Sequence, residues 1–534
     1  MPDLRFLRMS AALETIYPTC CSLLGEEIWA RLCADPLVAA APESLPERLA
    51  PIAGRGSTPA YIADLATLEW TIHAVAAMAG GDRGDVEETA LNPTLSLVEV
   101  RWKNLAGLVG AAGKHPVVPE RGDGHLLVWK VPGTAEVRIC APTDADLLVL
   151  KMVAEGIEAG TAAEMGGVPV SAIYGAFYRA RAKGLIESPR TRIVREGDFA
   201  TDLSKGDRTC QEADLFTLQW HVTQACDLHC RHCYDRTERE GVTFERALAV
   251  LDDFDLFCRT KHVRGAITFT GGNPLLYRDF IPLYRAAHGY GFAVAVLGNP
   301  TERPVLEELA SIGKPDFFQL SLEGLEGHDE WVRGPGHFGR TLRCLQVLRD
   351  LAIYSMVMLT LTKENLSQTI PLALFLRGKT DIFHFNRLSR VGRGVDLHLP
   401  SREEYHSFLE EWVTASKENP VMGLKDNLIN IVLAERGEAP FGGCTGFGCG
   451  AAFNFVTLLP DGEVHACRKF PSPIGNISRQ SFAEIYDSDD ARRYRQRPLG
   501  CKDCALRAAC GGCLAVIHSG GLDISKDRDP LCFR

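Results

Sequence analysis

Residues 216–236 read Phe-Thr-Leu-Gln-Trp-His-Val-Thr-Gln-Ala-Cys226-Asp-Leu-His-Cys230-Arg-His-Cys233-Tyr-Asp-Arg. The first seven are mostly branched or aromatic, as in a strand. The strand runs straight into three cysteines within eight residues. Three thiolates from one short loop can hold three irons of a [4Fe–4S] cluster and leave the fourth iron open to a small molecule. Zinc is the competing reading, with His229 or His232 as a fourth ligand, but zinc usually recruits separated Cys-x-x-Cys pairs. The strand context favours the cluster.

From about 212 to 400, strand-like runs recur at 216–222, 266–270, 292–297, 316–322, 354–361 and 381–388. Amphipathic helical segments such as 243–258 and 337–351 separate them. Strands alternating with helices predict a parallel sheet, and six such units predict an open, partial barrel. Chemistry in that architecture sits at the carboxyl ends of the strands, where the cysteine loop begins.

Toward the amino terminus the pattern is different. Thr58 followed by Pro59 predicts a helix N-cap, and Ile62, Leu65, Leu68, Ile72 and Val75 give that helix an apolar face. Gly80–Glu88 reads as a linker. Residues 95–102 and 125–131 read as strands, 144–156 and 170–183 as helices, and 184–196 as a turn and strand, a winged-helix-like order. Its basic residues Arg179, Arg181, Lys183, Arg190, Arg192 and Arg195 could contact DNA or form a solvated face. A peptide-docking module is the preferred reading, because the barrel pattern with its cysteine loop comes next in the chain.

The 534 residues amount to three or four units at about 150 residues each. A net charge of −10 argues against a dedicated nucleic-acid binder. No apolar run is long enough to span a membrane, and the first residues lack signal-peptide features, so a cytoplasmic location is expected. The anomaly is 18 cysteines, which in a reducing compartment point to metal rather than disulfides. Eight lie between Cys444 and Cys532. Cys20, Cys21, Cys33, Cys140, Cys210, Cys258 and Cys344 are scattered and read as small core residues.

At these motifs the chain resembles the radical S-adenosylmethionine (SAM) superfamily, whose signature is Cys-x3-Cys-x2-Cys after the first barrel strand. The resemblance implies that Gly271-Gly272-Asn273-Pro274 holds the SAM amino group through its backbone, glycine permitting close approach. Asn273 stands where the family usually has Glu. It further implies SAM contacts at Asn299, Ser321, Glu323 and Arg333, with Arg387 and Leu388 beside the adenosyl group. The carboxyl-terminal cysteines resemble the SPASM extension. By that resemblance Cys444, Cys449, Cys467 and Cys513 hold one auxiliary [4Fe–4S] cluster, and Cys501, Cys504, Cys510 and Cys532 a second; two residues, not the usual three, precede Cys513. Two structural zinc sites are the alternative here. With Cys226, Cys230 and Cys233, three clusters are expected, and the full auxiliary ligand sets imply roles in electron transfer and in shaping the substrate channel.

The expected fold is thus α/β, a partial (β/α)6 barrel with a Cys-rich SPASM domain and an amino-terminal helical plus winged-helix-like region. The expected divisions are residues 1–85, 86–205, 206–400, a helical connector at 401–440, and 441–534. Within the superfamily, FTGGNPLLY, VLGNPT, FFQLSLEGLEGHDEWVRGPGHF, YSMVMLTLT and FHFNRLSRVGRG resemble the thio(seleno)oxazole, or selenobiotic-type, peptide maturases. YPTCCSLLGEEIWARL and AYIADLATLEW resemble the helical domain of small partner proteins that present precursor peptides. These resemblances imply reductive cleavage of SAM to a 5′-deoxyadenosyl radical and oxidation of a ribosomally made peptide at or next to Cys. They also imply a leader docked on residues 1–205 and a flavodoxin- or ferredoxin-type electron donor. A sulfatase-maturase-like oxidation of Cys or Ser in a protein is the rival enzyme reading, and an iron–sulfur carrier or sensor the non-enzyme one.

Overall fold

The computed structural model describes residues 4–79, 86–109, 118–168, 170–195 and 210–534. Most of the expected linker at 80–88 and the expected 205/206 division lie outside the described residues. The chain forms two compact units, one ending at Arg190 and the other running Thr191–Arg534. Among the described residues no helix is long and apolar enough to cross a membrane.

In the first unit, five α-helices from Leu4–Ile16 to Ile62–Ala77 precede a short strand β1 (Ala90–Leu91) and a three-stranded antiparallel sheet. The sheet comprises β2 (Ser96–Lys103), β3 (Glu120–Lys130) and β4 (Val137–Cys140). Alternation puts its side chains on two faces. Val98, Val100, Leu126 and Val128 pack with Leu24, Leu65 and Leu68 of the helical layer. Leu127 and Trp129 pack the other way, against Val149, Ala176 and Ala180 of helices Asp144–Glu155 and Val170–Lys183. The sheet is therefore the shared middle layer. Two acidic residues of the Ala60–Trp70 stretch lock this arrangement. Asp64 accepts the Arg101 backbone N–H at 2.7 Å and its guanidinium at 2.7 Å. Buried Glu69 accepts the N–H groups of Thr19 and Cys20, at the start of helix Pro18–Cys33, where a helix favours negative charge.

Two local expectations are corrected here. The helix expected at Thr58–Pro59 begins at Ile62, because Thr58 is engaged in a turn in which its carbonyl accepts the Gly54 N–H. The strand expected after residue 184 is only β5 (Ile186–Glu187), paired with β1; Pro189 follows, and proline cannot donate to a ladder. The basic stretch is also not one face. Lys183 is paired with Asp146 at 2.7 Å in the first unit, whereas the Arg192 and Arg195 backbones bond Lys261 and Gln211 in the second.

The second unit is built on a nine-stranded sheet of order β11-β10-β9-β8-β7-β6-β12-β13-β14. The strands β6 (Leu215–Thr223), β7 (Arg264–Gly271), β8 (Ala293–Leu297), β9 (Phe317–Ser321), β10 (Ser355–Leu361) and β11 (Ile382–Arg387) are parallel neighbours. They match the six expected strands and form the partial (β/α)6 barrel. Leu218, Trp220, Ile267, Phe269, Val296, Phe318 and Leu320 share one buried apolar face, whereas the alternate face carries Gln219, Thr268, Thr270, Gln319 and Ser321. The cysteine-rich domain adds β12 (Phe455–Leu458), β13 (Glu463–His465) and β14 (Pro473–Asn476) to the same sheet. Strand β12 runs parallel to β6, pairing Phe455–Leu458 with Thr217–Trp220. Of the scattered cysteines, Cys20, Cys33, Cys258 and Cys344 are buried, and Cys21, Cys140 and Cys210 are half-buried.

Candidate functional site

At the carboxyl ends of the barrel strands lies a cavity of about 420 Å³ lined by Cys226, Cys230 and Cys233, within the range of small-molecule sites. Gly271, Gly272, Asn299, Ser321, Arg333, Arg387 and Leu388 line it too. Asn273, Pro274 and Glu323 are buried but do not line it.

The glycine pair clamps the cysteine loop. Gly272 and Asn273 donate their N–H groups to the carbonyls of Thr223 and Ala225 at 2.9 and 2.8 Å. A Cβ at Gly272 would stand 2.2 Å from the Ala225 oxygen, and one at Gly271, where φ is +120°, 2.2 Å from the Thr223 oxygen. The loop's exit is held similarly, with Arg393 N–H on the Cys233 carbonyl at 2.9 Å. Asn273 Nδ2 donates to Asp227 Oδ1 at 3.0 Å, and Asn299 Nδ2 to the same oxygen at 2.5 Å. Asp227, next in the chain after Cys226, is thus gripped by amides from two strand ends. A Glu at 273 would set a second carboxylate against it.

Glu323 organises the opposite wall. Its Oε1 accepts Arg333 Nε at 2.9 Å and lies 2.8 Å from His232 Nε2, while Oε2 accepts the Thr360 N–H at 2.8 Å. Burial alone would raise this carboxyl, but His232 and Arg333 hold it well below the usual range. Arg333 Nη1 stands 3.7 Å from Cys230 Sγ. Arg387 is tied to Asp426 and Asp529, each at 2.7 Å. Lys469 Nζ donates to the Arg387 carbonyl and Arg468 Nη1 to Thr270 Oγ1, so the cysteine-rich domain contributes to the cavity wall.

In that domain Cys501, Cys504, Cys510 and Cys532 line one small cavity. Cys449, Cys467 and Cys513 interact electrostatically with one another. The Cys444 N–H bonds Asn427 Oδ1, whose amide nitrogen donates to the Gly512 carbonyl beside Cys513. Asp529 accepts the Cys513 N–H at 2.8 Å and gives its carbonyl to the Cys532 N–H. Among the described residues no three His, Cys, Asp or Glu groups converge as a lone metal ion requires. Burial pushes the Cys467 and Cys510 thiols up to about 12, as it also raises the core thiols Cys20 and Cys258. Asp227, Asn427, Arg497 and Asp529 were not singled out from the sequence.

The Radical SAM superfamily model matches residues 220–376, and the SPASM iron-sulfur cluster-binding domain model matches residues 449–513. An AdoMet-dependent heme synthase of Methanosarcina barkeri is 26% identical over 347 residues, covering 59% of this chain and 95% of its own. The antilisterial bacteriocin subtilosin biosynthesis protein AlbA of Bacillus subtilis is 27% identical over 367 residues, covering 64% and 76%. The mycofactocin maturase MftC of Mycolicibacterium smegmatis is 28% identical over 335 residues, covering 59% and 82%. Fold, cysteine loop and matched domains together define a radical SAM enzyme with a SPASM domain, which binds SAM and [4Fe–4S] clusters. Neither domain match reaches the first 219 residues.

Proposed function

We propose that this enzyme oxidatively modifies a ribosomally synthesised precursor peptide at or next to Cys residues. The observation that carries the reading is the cavity in which Cys226, Cys230 and Cys233 meet Gly271, Gly272, Ser321 and Arg333 at the strand ends. With SAM and its cluster bound there, the site supplies a 5′-deoxyadenosyl radical, chemistry that no side chain provides. The protein's residues do the positioning. The glycine pair and the Asp227 amide grip hold the cysteine loop, Glu323 fixes Arg333 at the cavity wall, and Arg468 and Lys469 border the space left for substrate. Cys444, Cys449, Cys467 and Cys513 would hold one auxiliary cluster and Cys501, Cys504, Cys510 and Cys532 the other, three clusters in all.

Support for a peptide substrate comes from AlbA, a bacteriocin biosynthesis protein, and MftC, a maturase. Further support comes from the first unit, whose helix–sheet–helix layers lie outside both domain matches. A leader docked there would raise the effective concentration of the core peptide at the site. A thioether fits the two-electron oxidation, a C–H and an S–H bond giving up two electrons and two protons as the C–S bond forms; a thiazole- or oxazole-type ring loses a water besides. The test is anaerobic incubation of the reduced protein with SAM and the short Cys-bearing peptides encoded beside its gene. Formation of 5′-deoxyadenosine together with a peptide about two mass units lighter supports the reading. Turnover of a porphyrin with no change in any peptide would place the activity with the heme synthase relative instead.

A further inference from the structure

Arg195 and Arg497 lie on separate segments, are only 3% and 4% exposed, and converge on one spot between the cysteine loops. Arg497 donates Nη1 to the Cys449 carbonyl at 2.8 Å and Nη2 to the Phe447 carbonyl at 2.6 Å. Arg195 Nη2 donates to the same two carbonyls at 3.0 and 2.7 Å, and its guanidinium lies 4.0 Å over the Phe453 ring. The slot for Arg497 is cut by two glycines. A Cβ at Gly448 would stand 2.5 Å from Nη2, and one at Gly511 2.3 Å from Cδ. Gly448 immediately precedes Cys449, and Gly511 immediately follows Cys510.

Two buried like charges at shared carbonyls repel each other and lose hydration. Arg497 thus bonds the main chain of Cys449, in one proposed ligand set, and packs against Gly511, which lines the cavity of Cys501, Cys504, Cys510 and Cys532, the other. A cluster ligated by four thiolates is anionic and becomes more so on reduction, and cluster potentials follow local charge.

We infer that Arg497, backed by Arg195, is a counter-charge shared by the two auxiliary clusters that raises their reduction potentials. This rests on the two-auxiliary-cluster reading above. The test uses the full-length, cluster-loaded protein, with iron content measured first and an EPR-monitored redox titration second. At a fixed poise, Arg497→Gln should lower the reduced-to-oxidised ratio of the auxiliary clusters at least tenfold, which is 59 mV for one electron. Arg497→Lys keeps the charge but not the planar fork and should stay within threefold. Should Arg497→Gln lose iron, Arg195→Gln offers the same readout and should shift in the same direction. Unshifted titrations in the Gln variants, or a Lys variant displaced as far as Gln, would reduce these arginines to backbone props. About eight irons rather than about twelve in the unsubstituted protein would overturn the sharing together with the two-cluster reading, an outcome distinct from an unshifted potential.

Discussion

Replacing Gly272 by Ala tests whether the fit between the glycine pair and the cysteine loop governs SAM cleavage. Gly272 is not among the positive-φ residues, so alanine meets no backbone strain there and the effect is steric. The added Cβ would sit 2.2 Å from the Ala225 oxygen and 2.6 Å from the Gln224 oxygen. Both are main-chain atoms of the loop that leads into Cys226, so no flexible side chain can yield. The loop must retreat by about 1 Å, the scale of misplacement that can cost on the order of 10²-fold in rate. The overpacking itself costs about 1–3 kcal/mol. The assay is 5′-deoxyadenosine formed from SAM by the reduced, cluster-loaded protein under anaerobic conditions, normalised to iron content. A fall of about 100-fold is expected. Gly289→Ala, at a helix end where nothing lies within 4 Å of the new methyl, serves as the control and should be neutral or slightly stabilising. A Gly272→Ala rate within threefold of the unsubstituted protein would refute the clamp.

Changing Cys226, Cys230 and Cys233 together to Ala should abolish SAM cleavage and lower iron from about twelve to about eight per chain; an unchanged iron count would remove the loop from the ligand set. In the first unit, Asp64→Ala should cost about 1–3 kcal/mol in thermal or denaturant unfolding, because it orphans the Arg101 backbone N–H. Arg101→Ala should cost under about 1 kcal/mol, since that side chain is 70% exposed. His288, tilted against Tyr284 with ring centroids 4.6 Å apart, is lowered by burial to about 4 from 6.5. The unfolded chain therefore takes up a proton that the folded chain resists, and stability present above pH 6.5 is lost as pH falls toward 4. Melting curves of His288→Phe should fall less steeply over that window, and a parallel slope would refute the assignment.

The barrel was legible because each strand is a compact run rich in branched and aromatic residues, and turn residues bracket it. The three strands of the cysteine-rich domain were not. Strand β12 has four residues and β13 three, too few for a period to emerge, and the partner of β12 is β6, far away in sequence. The grouping of the cysteines was readable from spacing, and the proposed ligand sets came from the family resemblance. Their supports were less so, because Asn427, Arg497 and Asp529 are single polar residues whose role exists only through contacts made across the fold. Asp227 was closer to view. An acidic residue inside the cysteine loop, together with Asn in both the Gly-Gly-Asn-Pro and Gly-Asn-Pro motifs, already held the complementary groups. Likewise the Asp64 and Glu69 of a stretch read for peptide recognition carry structural hydrogen bonds, a distinction that a motif alone cannot make.

Because β12 is stitched to β6 by main-chain pairing, the carboxyl-terminal domain cannot behave as a hinged cover over the barrel mouth. Swinging it aside would mean tearing a ladder out of the middle of a nine-stranded sheet. The spacing between the proposed sites for the two kinds of cluster is accordingly a fixed dimension of the scaffold, like the gap between electrodes cast in one block. Admission of the proposed peptide substrate would fall to the loops around the rim.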